Sequence, residues 1–208
     1  MNSSPVSPSP ANPSAANKAG LRQQLRERRR QLTSTQQRLA ATGLCRILSR
    51  TPAYRRARVI ALYFSRDGEL SPHLLARQAR RQGKITCYPV LKAGGRLSFR
   101  RWNGTAKCQR NRFGIPEPRP CMGTQAVEKI DLVLMPLVGF DRQGRRLGMG
   151  GGFYDRTFAG HGIRARFPVL IGLAHGVQEC DRIPADHWDI PLDAIATEAR
   201  FILVGTAG

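Results

Sequence analysis

Short apolar runs of strand-forming residues, with helical segments between them, constrain this chain more than any other feature. RVIALYF at 58–64 and KITCYPV at 84–90 each read as a buried strand. Between them, Ser71-Pro72 opens a helix, a cap followed by proline in the first turn, and Gly83 closes it. A strand–helix–strand unit of this kind lays its two strands parallel. LSFRRW (97–102), DLVLMPLVGF (131–140, ending at Pro136), PVLIGLA (168–174) and FILV (201–204) continue the series. The expected fold is α/β: an open, mostly parallel sheet with helices on both faces, a Rossmann-like three-layer single domain.

The remaining segments organise around that sheet. Residues 1–17 carry no charge and are mostly Ser, Pro, Asn and Ala. They offer too little apolar area to offset ordering entropy, so a disordered tail is expected, with the domain filling 18–208. Leu21, Leu25 and Leu32 fall at helical spacing among arginines and predict a basic amphipathic helix. Ser34 and Gln37 make a capping box for a second helix, with Leu39, Leu44, Ile47 and Leu48 on its buried side. Residues 103–128, rich in Gly, Pro and Asn, read as a long irregular loop.

Charge narrows the class of partner. Thirty-four Lys and Arg stand against 14 Asp and Glu, a net +20 over 208 residues. Such a balance attracts polyanions, from nucleotides to nucleic acid, without choosing among them. RERRR at 26–30 motivates a nucleic-acid-binding reading. No recognised binding module accompanies it, and no aromatic residue interleaves the basic runs, so weak, salt-sensitive, non-specific RNA contact is the most it supports. The five cysteines show no C-x-x-C pair or zinc spacing and fit a reduced, cytoplasmic setting. No apolar run has the length of a membrane span, and the N-terminus lacks the apolar core of a secretory signal. A monomer without membrane contact is expected.

RRLGMGGGFYDR, residues 145–156, is the stretch with chemistry in it. Four glycines surround Met149. Each loses more backbone freedom on folding than alanine, at roughly 0.5–1 kcal/mol apiece. Two readings offset that: a phosphate cradle of bare backbone N–H groups at a helix start, or a tight structural turn. Arg145 and Arg146 stand ready for phosphate oxygens. Asp155, just after the run, suits either a magnesium ion or a helix cap. A helix is expected over Tyr154–Ala159. The run is not a P-loop, since no Gly-Lys-Ser/Thr ends it, and Phe153 stands where a dinucleotide fingerprint has its third glycine.

MPLVGFDRQGRRLGMGGGFYDR resembles the signature of the 5-formyltetrahydrofolate cyclo-ligase (methenyltetrahydrofolate synthetase) family. Lys18-Ala19-Gly20-Leu21-Arg22 resembles its N-terminal K-x-x-L-R element, and Asp67-Gly68-Glu69-Leu70 its acidic element after the first strand. Asn111 to Pro118 resembles its G-I-P-E-P loop, and His187-Trp188-Asp189 with Leu192-Asp193 its C-terminal acidic segment. The resemblance covers roughly residues 18–204.

It implies ATP- and magnesium-dependent closure of 5-formyltetrahydrofolate to 5,10-methenyltetrahydrofolate, with release of ADP and phosphate. Reduced folate and ATP are the implied substrates and Mg2+ the implied cofactor. Lys18, Arg22 and Arg146 become the implied catalytic residues. ATP is implied to meet Lys18, Ala19, Gly20, Leu21 and Arg22, then Arg146, Leu147, Gly148, Met149, Gly150, Gly151, Gly152, Phe153 and Tyr154. Glu69, Phe113 and Tyr154 are implied to hold the folate. Asp155 and Asp189 are implied to hold the metal, with Asp193 competing for the second place.

Overall fold

In a computed structural model, residues 13–159, 168–186 and 188–205 are described. The apolar runs form strands β1 (Val59–Ala61), β2 (Ile85–Leu91) and β3 (Leu97–Arg101). The segment expected as a long loop carries three more, β4 (Cys108–Arg110), β5 (Pro116–Pro118) and β6 (Thr124–Gln125). The run at 131–140 splits at Pro136 into β7 (Leu132–Pro136) and β8 (Gly139–Phe140), and β9 (Arg146–Leu147) pairs back on β8. Then come β10 (Val169–Leu173), β11 (Ala194–Ala196) and β12 (Phe201–Leu203).

The main sheet has the order β12-β11-β10-β7-β1-β2-β3-β6. Its five central strands, β11 to β2, are mutually parallel, and β12, β3 and β6 join antiparallel. From β1 the chain passes to β2 on one side and later to β7 and β10 on the other. The carboxyl ends of β1 and β7 therefore flank a topological switch point, where open α/β sheets bind ligands.

Both faces are covered, which is why the central strands read as continuous apolar runs. Side chains alternate: Ile60, Leu132, Leu134 and Ile171 enter one core, and Ala61, Val133, Met135 and Leu170 the other. The first core is roofed by α2 (Ser34–Leu48), α3 (Pro52–Arg56) and α4 (His73–Arg81). Leu44 and Leu48 of α2 are fully buried there, each contributing about 1.5–3 kcal/mol by burial. The second core is closed by Phe158, just beyond α5 (Phe153–Thr157), which is shorter than the helix expected to Ala159.

Helix α1 (Pro13–Arg30) belongs to neither roof. Leu25 and Leu21 pack it on Val138, Leu147 and Ile183, across the β8–β9 hairpin. A Cβ at Gly139 would lie 2.3 Å from Leu25 Cδ1, so a side chain there would push Leu25 out of its place.

Local detail corrects several expectations. α1 starts at Pro13, inside the stretch expected as a tail; residues 1–12 lie outside the described ones. The α2 capping box is Thr33 with Gln36, one residue before the expected pair, and Leu39 is 67% exposed. Helix α4 begins at His73 with no side-chain cap, and Gly83 follows it at a φ of 73°. The strand at 58–64 is only three residues long.

Candidate functional site

The loops beyond the carboxyl ends of β1 and β7 meet α1 at the switch point. The hairpin turn comes first. Buried Asp141 accepts backbone N–H groups from Gln143 and Arg145 at 3.0 and 2.9 Å, and from Ile183 at 3.0 Å. Oδ2, which takes the Ile183 N–H, also holds the Arg145 guanidinium at 3.1 Å. Arg145, expected to face phosphate, is thus tied into the turn. Arg146, one residue on, points the opposite way as strand alternation requires.

Arg146 is mostly buried and bonds Asp155 Oδ1 and the Ile190 carbonyl. Asp155 Oδ1 also accepts the Ile190 N–H at 3.3 Å. Burial pulls the Arg146 pKa down, while Asp155 and Asp189 nearby push it up. Lys18, only 7% exposed, puts Nζ 2.7 Å from Asp186 Oδ2 and 3.5 Å from Asp189 Oδ2. Arg22, one turn along α1, donates from Nε to the Gly148 carbonyl at 2.9 Å. Contacts among Lys18, Asp189, Arg146 and Asp155, and from Arg22 to the run at Gly148, therefore gather these five residues on one side of the switch point. Asp186 joins them unforeseen; its signal was one more acid in a polar loop.

The glycine run resolves residue by residue. Gly150 and Gly152 sit at φ 89° and 60°, left-handed conformations that disfavour any side chain, and Gly152 caps α5. At Gly151 a Cβ would come within 2.5 Å of the Phe153 ring. Those three glycines are explained by the fold itself. Gly148 is not: its φ is not in the left-handed region, and a Cβ there would meet nothing within 4 Å. Arg156 stitches the run to the β2–β3 connection by bonds to Gly151 O and, at 3.0 Å, Gly95 O.

The side chains expected around ATP divide accordingly. Ala19, Gly20 and Met149 are exposed beside the run. Leu147 and Leu21 turn into the α1 core, leaving only their backbone to a ligand.

Across the switch point lies Glu69. Its Oε2 accepts the Arg66 N–H at 3.0 Å. Burial raises its pKa, partly offset by that bond and by Arg29. Tyr154 is also raised, first by burial and then by the Glu69 charge, which places its hydroxyl near that carboxylate. Its ring stacks on Phe158 at 6.4 Å. Phe113 is half exposed, edge-on to Phe153 at 6.1 Å, with its carbonyl bonded by Arg66. Glu69, Phe113 and Tyr154 thus border one region. Glu117 in β5 is buried and accepts from Leu91 N–H and Asn111 Nδ2 at 2.9 Å each, which anchors the β4–β5 hairpin to β2.

For a metal, the donor set is Asp155 and Asp189, both beside Arg146. No group of three or more His, Cys, Asp or Glu is gathered among the described residues. Two hard carboxylates nevertheless fit magnesium, which takes one or two from the protein and the rest from phosphates and water. Asp193 lies elsewhere: its Oδ2 accepts the Leu170 N–H at 2.7 Å at the amino end of β10, the opposite end of the strands from the switch point. His187 lies outside the described residues.

The profile of the 5-formyltetrahydrofolate cyclo-ligase family matches residues 14–198. The chain is 38% identical to the 5-formyltetrahydrofolate cyclo-ligase of Haemophilus influenzae over 175 residues, 83% of this chain and 92% of that one. It is 36% identical to the Escherichia coli K12 protein of the same name, covering 85% and 97%. Among solved structures, the 5,10-methenyltetrahydrofolate synthetase of Aquifex aeolicus superposes with a TM-score of 0.78 at 28% identity, covering 92% of this chain and 94% of that one.

Proposed function

The chain belongs to the 5-formyltetrahydrofolate cyclo-ligase family and is a ligase of folate metabolism, and from that premise we propose that it closes 5-formyltetrahydrofolate to 5,10-methenyltetrahydrofolate with ATP and magnesium. One observation carries the reading. Arg22 bonds the glycine run at Gly148, and Arg146 and Lys18 pair with the acids around it, Asp155, Asp186 and Asp189.

The chemistry asks for that arrangement. A formyl oxygen on nitrogen is a poor leaving group. Transfer of the γ-phosphoryl group of ATP to that oxygen makes it a phosphate ester and releases ADP. The neighbouring side-arm nitrogen then attacks the formyl carbon, the C–O bond breaks, and phosphate departs with the oxygen. Phosphoryl transfer needs positioning and charge neutralisation more than covalent help. Lys18 and Arg22 supply cations from α1, and Arg146 one from β9. The open side of Gly148 lets a phosphate approach the backbone. Asp155 and Asp189 would hold Mg2+, which would neutralise phosphate charge. Each carboxylate now lies beside a cationic side chain, which a bound metal would release toward phosphate. Glu69 accepts N–H donors of the pterin, and Phe113 and Tyr154 border its ring.

The reading takes the chain as a cytoplasmic monomer; its five cysteines are all free thiols, as a reducing compartment keeps them. The test is turnover. Folded protein mixed with 5-formyltetrahydrofolate, ATP and magnesium is followed by methenyltetrahydrofolate absorbance, beside a control without ATP. ATP-dependent product is expected. Absence of product, or product formed equally without ATP, contradicts the reading.

A further inference from the structure

Helix α1 carries a second cluster, one to two turns beyond Arg22, that the phosphate chemistry does not use. Arg26, Arg29 and Arg30 all bond Asp67, in the loop between β1 and α4. Arg29 dominates by burial: it is 0% exposed. Its Nε donates to the Asp67 carbonyl and its Nη2 to Asp67 Oδ2, both at 2.8 Å. Its Nη1 is buried without a hydrogen-bond partner among the described residues. A charged group this deep, only partly satisfied, is expensive to hold unless the geometry it imposes is needed.

That geometry is a strained turn. Asp67 has a φ of 51°, unlike any other non-glycine residue described, and Gly68 follows at 77°. Non-glycine residues hold such a conformation only where their surroundings impose it. Arg29 imposes it by gripping Asp67 at main chain and side chain together, as a planar fork can and an ammonium cannot. A Cβ on Gly68 would lie 3.1 Å from Arg29 O, so the turn is pressed against α1. On its other side, buried His175 puts Nε2 3.1 Å from the Gly68 carbonyl. A carbonyl only accepts, so the tautomer protonated at Nε2 donates. The next residue is Glu69.

We propose that Arg29 is a positioning residue for Glu69, acting through the Asp67–Gly68 turn, with His175 as its counter-hold. The proposal rests on Glu69 being the folate carboxylate. One helix then presents cations to the phosphate side and fixes the carboxylate on the folate side.

The test is a double-mutant cycle between Arg29→Lys and Glu69→Gln, read in steady-state kinetics. R29K keeps the charge and loses the fork. It is expected to raise KM for 5-formyltetrahydrofolate about tenfold, the scale of one lost charge-assisted bond, with kcat and the ATP KM within about twofold. In the E69Q background the same change adds less than about twofold, because the residue it positions is already disabled. A purely structural Arg29 would lower the amount of active enzyme without separating the two KM values. An equal R29K effect in both backgrounds, or an unchanged folate KM in R29K while E69Q raises it, overturns the proposal alone. An unchanged folate KM in E69Q overturns the Glu69 reading and the proposal with it. Asp67→Asn, which breaks the same grip from the loop side, gives the same cycle should R29K fail to fold.

Discussion

The two ends of the central sheet both carry aspartates, and they use them differently. At the amino end, Asp131 Oδ2 accepts the backbone N–H groups of Arg58 and Val59, each at 2.8 Å, and Asp193 does the same for Leu170. These carboxylates tie strand starts to their neighbours. At the carboxyl end, Asp155 pairs with Arg146, and Asp186 and Asp189 with Lys18. Asp155 and Asp189 each also accept one backbone N–H, from Ile190 at 3.3 Å and Asp186 at 2.9 Å, but their ionic partners are cationic side chains, which a phosphate can attract away. A carboxylate bonded to backbone holds the fold in place, whereas one bonded to a movable cation can be exchanged when ligand arrives.

Substitution at the two ends separates these uses. Asp155→Asn is expected to lower turnover by about a hundredfold, the scale of losing one preorganised electrostatic partner, with raised magnesium restoring part of it. Asp131→Ala is expected to leave turnover per folded molecule unchanged while lowering stability by about 1–3 kcal/mol, since it orphans backbone donors. Initial rates against magnesium, paired with denaturant melts, check both. Near-normal turnover of D155N at low magnesium would erase the distinction.

A smaller effect comes from acid. Burial pushes the Asp67 carboxyl up, but the bonds from Arg30, Arg26 and Arg29 together outweigh it and hold the pKa at about 2, against an ordinary 3.8. The folded value lies below the unfolded one. The stability it contributes is therefore present above about pH 4 and is lost as pH falls through 3.8 toward 2. The stability gap between the unmodified protein and D67N, from melts at stepped pH, is expected to close across that window. A gap constant from pH 5 to 2 would show that the three arginines do not act through the charge.

The contrast also explains what the sequence could reveal. Strand runs were plain because five parallel strands are buried on both faces, and the β1–α4–β2 unit followed from caps and glycine. Ser34-x-x-Gln37 and Thr33-x-x-Gln36 both fit the capping-box pattern, and only the folded backbone selects the second. Spacing alone points Leu39 inward, whereas α2 buries a narrower stripe through Ala40, Ala41, Leu44 and Leu48. Strands β4 to β6 are two or three residues long and lie among Gly and Pro, so periodicity had nothing to register. Lys18, Arg146 and the glycine run were legible as an ordered motif. Arg29, Asp186 and His175 were not, since each gains meaning from a partner 38 to 168 positions away.

Gly148 separates a phosphate cradle from a structural turn most directly. Gly148→Ala adds a methyl group into open space, at a backbone angle outside the left-handed region. The measurement is equilibrium titration of magnesium-ATP into the unmodified protein and into G148A, with melting curves for both. Equal melting is expected, with an ATP Kd raised about tenfold or more in G148A, because the methyl group stands where phosphate must approach the backbone. Equal affinity in both proteins would contradict it and leave the run as a turn that shapes α5.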